Sequence, residues 1–178
     1  MEVVDEKDNA VDIQDREIVH SSRLWHRLAH VLLYNQNGEL LLQMRAPNKK
    51  VYPNKWDCSC SEHLKPNEAY DVAAKRGLEE ELGIREIDLK EVLYCRGDYG
   101  DEGNVISKVF VCKTDKTPTS IDTEEVYMYK FFTESGIKRM LADNEDAFAT
   151  WAAEQLKWKL GLPILNINCV IFFVYNFQ

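Results

Sequence analysis

The residues best equipped for chemistry lie between Ser61 and Ile84, in S-E-H-L-K-P-N-E-A-Y-D-V-A-A-K-R-G-L-E-E-E-L-G-I. Three consecutive glutamates, Glu79, Glu80 and Glu81, close a helical pattern that follows a loop carrying His63. With residue 77 set at 0° on a helix turning about 100° per residue, Glu80 falls near about −60° and Glu81 near about 40°. Those two share a face, whereas Glu79 points away at about 200°. Arg76, one turn before Glu80, is spaced to pair with it and hold its rotamer. Two adjacent carboxylates on one side are oxygen donors suited to a hard cation, Mg²⁺ or Mn²⁺. For E-E-E alone a solvated charged face is the ordinary account, so the surrounding residues must decide.

The elements that position this cluster can be read on either side of it. Asn67 after Pro66 is a predicted N-cap, with Glu68 and Asp71 in the first turn, and Gly83 supplies the left-handed stop, giving a helix over about 67–82. Upstream, Leu28–Tyr34 and Leu40–Met44 bracket N-Q-N-G, a hairpin signal, and Val3–Val4 with Ala10–Ile13 flank D-E-K-D-N in the same way. Val51–Ser61 reads as loop plus a short strand anchored by Trp56. Downstream, strands are predicted around Glu91–Arg96, Val105–Cys112 and Val126–Phe132, then helices over Glu134–Leu141 and Ala147–Leu160. The fold class is α+β (mixed α/β), with a single domain over residues 1–160 and an apolar extension over 161–178. The extension is rich in β-branched and aromatic residues. It is predicted to add a strand, pairing with the sheet edge or with a second subunit in a homodimer.

Composition narrows the partners. A net charge of −8 argues against nucleic acid, which needs a basic footprint. The C-terminal apolar run is only about 15 residues, short of the roughly 20 that span a bilayer, so no membrane partner is expected. Five cysteines, an odd number set mostly in apolar strand-like segments, read as reduced thiols. The acidic N-terminus, M-E-V-V-D-E-K-D-N-A, carries no apolar signal core, and a cytoplasmic location is the expectation.

The Ser61–Ile84 segment resembles the Nudix box, G-x5-E-x7-R-E-U-x-E-E-x-G-U with U aliphatic. Glu68, Arg76, Leu78, Glu80, Glu81, Gly83 and Ile84 fall on their positions, seven of the nine that the pattern defines. L-W-H-R-L-A-H-V-L-L-Y-N, E-L-L-L-Q-M-R and W-D-C-S-C extend the resemblance to the Nudix subgroup related to isopentenyl-diphosphate isomerase. It implies an α/β/α sandwich around a mixed sheet. It also implies Mg²⁺-dependent cleavage of a nucleoside diphosphate linked to another moiety, or a related small-molecule diphosphate. In that setting Glu80 and Glu81 are metal ligands and Arg76 their orienter. Arg45 and His63 are candidate substrate contacts, and Glu124, beside Glu125, is a candidate further ligand. Lys49, Lys50 and Lys55 are further cations in reach of phosphate.

Two positions depart from the box. Glu62 stands where the pattern has its first glycine, and Gly77 where it has the glutamate after the arginine. In the family that glutamate joins the metal cluster and can act as general base. The alternative reading is therefore a Nudix-fold module that binds diphosphates but turns them over poorly. Glu62 replaces the lost charge only if its loop folds back over the helix. Isomerase chemistry is the weaker fit. His26 and His63, with His20 nearby, match the isomerases' histidines, but Ser61 occupies the cysteine position. No carboxylate stands at Gly103–Val105, where the downstream acidic pair belongs.

Overall fold

The computed structural model describes residues 1–99, 103–164 and 170–174. At its centre β3 (His26–Tyr34) runs parallel to β8 (Asn104–Lys113), in register from His26 opposite Val105 to Tyr34 opposite Lys113. β7 (Lys90–Asp98) pairs antiparallel with β8. The remaining edge of β3 is shared by β1 (Glu2–Val4), β4 (Leu40–Arg45) and β6 (Cys60–His63), with β6 antiparallel. β2 (Ala10–Ile13) forms a hairpin with β1, while β5 (Trp56–Asp57) and β9 (Val126–Phe132) pair with β4. The sheet is thus mixed, as predicted.

β3 is buried nearly throughout because it is apolar on both faces, the pattern of a strand covered from both sides. Leu28, Leu32 and Tyr34 join one core with Ile137 and Leu141 of α3 (Glu134–Asp143) and with Trp151 and Leu156 of α4 (Thr150–Lys159). Ala29, Val31 and Leu33 join a second core with Ala73, Ala74, Leu78 and Leu82 of α2 (Tyr70–Leu82). Strand alternation thereby builds two cores on opposite faces of the sheet, the α/β/α arrangement.

Three elements differ from their predicted form. α2 starts at Tyr70, because Asn67 adopts φ 62° in a turn and gives its amide to Glu2. Asn67 therefore does not cap the helix; Ala69 stands at that position. α4 starts at Thr150 because a 3₁₀ turn over Glu145–Ala147 is followed by Phe148, extended beside Trp56. The Ala149 amide is committed to the Trp56 carbonyl at 2.9 Å. A short helix α1 (Arg16–Ser21) has no counterpart in the sequence reading. With Val19 its one buried residue, it offers no periodicity to detect.

In the C-terminal extension, β10 (Val170–Val174) pairs antiparallel with β7. The rest of the predicted strand segment, 165–169 and 175–178, lies outside the described residues. No helix among the described residues is long and apolar enough to cross a membrane.

Cys58, Cys60, Cys95 and Cys112 are buried, and Cys58, Cys60 and Cys112 are free. Burial pushes the Cys58 and Cys60 thiols well up and that of Cys112 up to about 12, so little thiolate forms near neutral pH. In a Cys169→Ser variant, a chromogenic disulfide reagent at pH 8 is expected to leave these thiols unmodified over minutes and to titrate all four in denaturant. Rapid modification of the native protein would contradict this burial.

Candidate active site

Arg76, on the second full turn of α2, organises the acidic cluster. Its Nε and Nη2 donate to the two Glu68 oxygens at 2.8 and 2.9 Å, a bidentate pair. Nη2 also donates to the His63 carbonyl at 2.9 Å, and Nη1 to Glu80 Oε2 at 3.0 Å. Glu62 Oε2 lies 3.2 Å from Nη1. The hydrogen bonds from Arg76 hold the Glu68 carboxyl below its usual range. One guanidinium thereby joins the end of β6, the turn before α2 and the helix face carrying Glu80. Glu79 points away as predicted and pairs with Arg85 at 2.9 Å.

Glu81, next to Glu80, is buried and takes a hydrogen bond from Gln43 Nε2 at 3.0 Å. Alternation along β4 puts Gln43 on the same face as Leu41, toward α2. Burial, followed by the charge of Glu62, pushes the Glu81 carboxyl well above its ordinary value. Burial also raises Glu62, against the opposing effect of Arg76. Glu62, Glu80, Glu81, Asp122 and Glu125 line one cavity of about 240 Å³, together with Arg16, Arg45 and Lys49. A second basin of about 600 Å³ shares Arg16, Arg45, Lys49 and Glu125 with it.

Arg45 is set by a buried carboxylate. Asp57 is fully buried and accepts from Arg45 Nη1 at 3.0 Å, Trp151 Nε1 at 2.7 Å, the Cys58 amide at 2.7 Å and Ser61 Oγ at 3.0 Å. Arg45 also gives Nε to the Val51 carbonyl at 3.1 Å and lies over the Trp151 ring, 5.2 Å from its centroid. Its position at the cavity wall is therefore fixed before any ligand arrives.

Donor chemistry separates two places where a cation could be held. The carboxylates around Glu81 are oxygen donors, and Glu81 has no ion pair among the described residues; a hard divalent cation fits that set. His20, His26 and His63 form a separate trio whose ligand atoms lie within 4.8 Å of one another. His26 Nδ1 bonds the Leu24 carbonyl at 3.0 Å, which turns Nε2 toward the trio, a donor set suited to Zn²⁺-like ions. Cys58 and Cys60 take no part in this trio.

The NUDIX domain profile matches residues 24–158. The chain belongs to the Nudix family. It is 33% identical over 128 residues to an uncharacterized Nudix hydrolase of Pseudomonas aeruginosa, covering 72% of this chain and 75% of that protein. To an isopentenyl-diphosphate Delta-isomerase of Burkholderia multivorans it is 30% identical over 169 residues, covering 92% and 94%. A Deinococcus radiodurans protein of known crystal structure shares the fold at TM-score 0.70 and 20% identity, over 88% of this chain and 96% of that one.

Within the Nudix box, Glu80, Glu81 and His63 line the cavity, and Arg45 joins them from β4. Arg76 is not part of the lining and acts on it through its bonds to Glu80 and the His63 carbonyl. Glu124 does not reach it. Its carboxylate takes a hydrogen bond from Asn48 at 2.7 Å in the larger basin, whereas Glu125 lines the cavity and pairs with Lys49. Lys50 pairs with exposed Glu17, and Lys55 bonds the Asp146 carbonyl. Gln43, Asp57, Asp122 and Arg16 were not singled out from the sequence. Asp57 left a usable signal, a lone carboxylate inside the apolar W-D-C-S-C strand; Arg16 and Asp122 left none.

Replacing Asp57 with alanine is expected to cost about 3–5 kcal/mol, because Arg45 keeps its charge in a nearly closed site. The double variant Asp57→Ala with Arg45→Met should lose less than the sum of the single losses in urea unfolding. A loss below about 1 kcal/mol for Asp57→Ala would show that the pair is not what holds Arg45.

Proposed function

We propose that the chain is a Mg²⁺-dependent hydrolase that cleaves the diphosphate bond of a nucleoside diphosphate linked to a further group, or of a related small diphosphate. The observation that carries this reading is the joint lining of one cavity by Glu80 and Glu81, with Arg16, Arg45 and Lys49 beside them. Its acidic residues suit a divalent cation and its basic residues suit phosphate oxygens. A bound Mg²⁺ would neutralise the diphosphate and lower the pKa of an attacking water.

The chain's own residues do the rest. Glu80 and Glu81 hold the cation, with Arg76 fixing Glu80 and Gln43 fixing Glu81. Arg45, anchored on Asp57, and the exposed Arg16 present charge to the phosphates, and His63 stands at the cavity edge. The adjoining basin of about 600 Å³ has room for the remainder of the substrate.

A second reading, isomerisation of an allylic or homoallylic diphosphate, draws on the histidine trio and the isomerase relatives. It is disfavoured by chemistry at two places. Ser61 rather than a thiol lines the cavity, since Cys60 faces α2 from the other side of β6. Across from His26 on β8 stands Val105, which adds no carboxylate to the histidines.

With Mg²⁺ present, a panel of nucleoside diphosphate conjugates is expected to include at least one that the protein hydrolyses. Glu81→Gln should lower that turnover on the order of 10²-fold or more, and EDTA should abolish it. Turnover of isopentenyl diphosphate without hydrolysis of any conjugate would favour the second reading. Tight binding of a conjugate without turnover would make the chain a binding module.

A further inference from the structure

Relative to the box, positions 62 and 77 have traded residue types: glutamate stands for glycine at one and glycine for glutamate at the other. The fold puts these positions in contact. A Cβ built on Gly77 would lie 2.9 Å from Glu62 Cβ and 3.3 Å from Glu62 Cγ. The first carbons of the Glu62 side chain thus fill the space where a side chain at 77 would begin. The same Cβ would sit 2.5 Å from Cys60 Sγ. Cys60 and Glu62 share one face of β6 by strand alternation, and the bare backbone at Gly77 lets α2 approach that face closely.

Glu62 reaches this place without strain. It lies within β6, paired opposite Ala29, and is not among the residues with positive φ. The position of the box glycine is here an ordinary strand residue. Its carboxylate lines the cavity with Glu80 and Glu81, and Arg76 steadies it at 3.2 Å.

We infer that Glu62 is a ligand for the divalent cation, delivering from β6 the carboxylate that the box delivers from α2 at position 77. The inference rests on the hydrolase reading above. The two departures from the box are then one exchange between touching positions, and the acidic set keeps its third member.

The test compares wild type, Glu62→Gln, Glu81→Gln, Gly77→Glu and the double variant Glu62→Gly with Gly77→Glu. Mn²⁺ binding is followed by electron paramagnetic resonance, thermal unfolding without metal by circular dichroism, and hydrolysis on the same samples. Glu62→Gln is expected to fold normally and bind Mn²⁺ at least about tenfold more weakly. Gly77→Glu alone is expected to lower the melting temperature by about 5 °C or more, because the new side chain meets Cys60 and Glu62. Removing Glu62 in the double variant should recover part of that loss, with Mn²⁺ bound more tightly than by Glu62→Gln. If Glu62→Gln binds Mn²⁺ as wild type does while Glu81→Gln does not, Glu62 is no ligand and the hydrolase reading survives. If Glu81→Gln retains both Mn²⁺ binding and hydrolysis, the carboxylate site itself is wrong and both readings fall. A Gly77→Glu protein as stable as wild type that binds Mn²⁺ more tightly would overturn the exchange.

Discussion

Arg76 bonds at once to Glu68 in the turn before α2, to Glu80 one turn along the helix, and to the His63 carbonyl at the end of β6. Among the described residues no other side chain bonds all three of those segments, and the orientation of the acidic face follows from it. A planar fork with five donors can satisfy several acceptors in one plane; an ammonium has three donors on a single nitrogen and could not make the bidentate pair with Glu68. Because Glu68 takes the bidentate share, Glu80 is left with a single bond and stays half-exposed to the solvent side of the cavity. The guanidinium therefore orders the cluster without neutralising it.

Glu81 takes no bond from that guanidinium; it is closed off from water and supported by one neutral amide, and its burial disfavours the charged form. Burying a carboxylate among others is unfavourable for folding alone. The cost is tolerated beside a cavity whose other wall groups include Arg45 and Lys49, themselves tied to Asp57 and Glu125. Glu81 and Arg45 are thus held by Gln43 and Asp57 rather than by each other, whereas Lys49 and Glu125 pair across the cavity lining.

Much of this was legible in the sequence, because periodicity carried it. The box helix, the hairpin at N-Q-N-G, the β9 boundaries and the Arg76–Glu80 pair all follow from local spacing. The details that failed were those set by tertiary hydrogen bonds. Asn67 turns instead of capping because Glu2, from the other end of the chain, takes its amide. α4 cannot start at Ala147 because Phe148 is held extended in a bridge to Trp56. The contact between residues 62 and 77 was equally invisible, since fifteen positions of separation say nothing about which strand face meets which helix face. Of the neighbours Glu124 and Glu125, only Glu125 lines the cavity, for a similar reason: both lie in the turn before β9, whose shape is set by backbone bonds to the Asp122 carbonyl and from Ala46 to the Glu125 carbonyl.

The parallel pairing of β3 with β8 has a consequence for how the molecule comes into being. The partners of His26–Tyr34 are synthesised roughly 80 residues later, after α2 and β7. Until then a strand with apolar side chains on both faces has only β1, β4 and β6 to pair with, and its β8 edge stays open. The closing step must therefore be a long-range one, carrying a large loop-closure entropy and favouring slow folding. During that interval the open edge of β3 is the segment most prone to improper association, and it is the stretch a nascent chain has most need to keep covered.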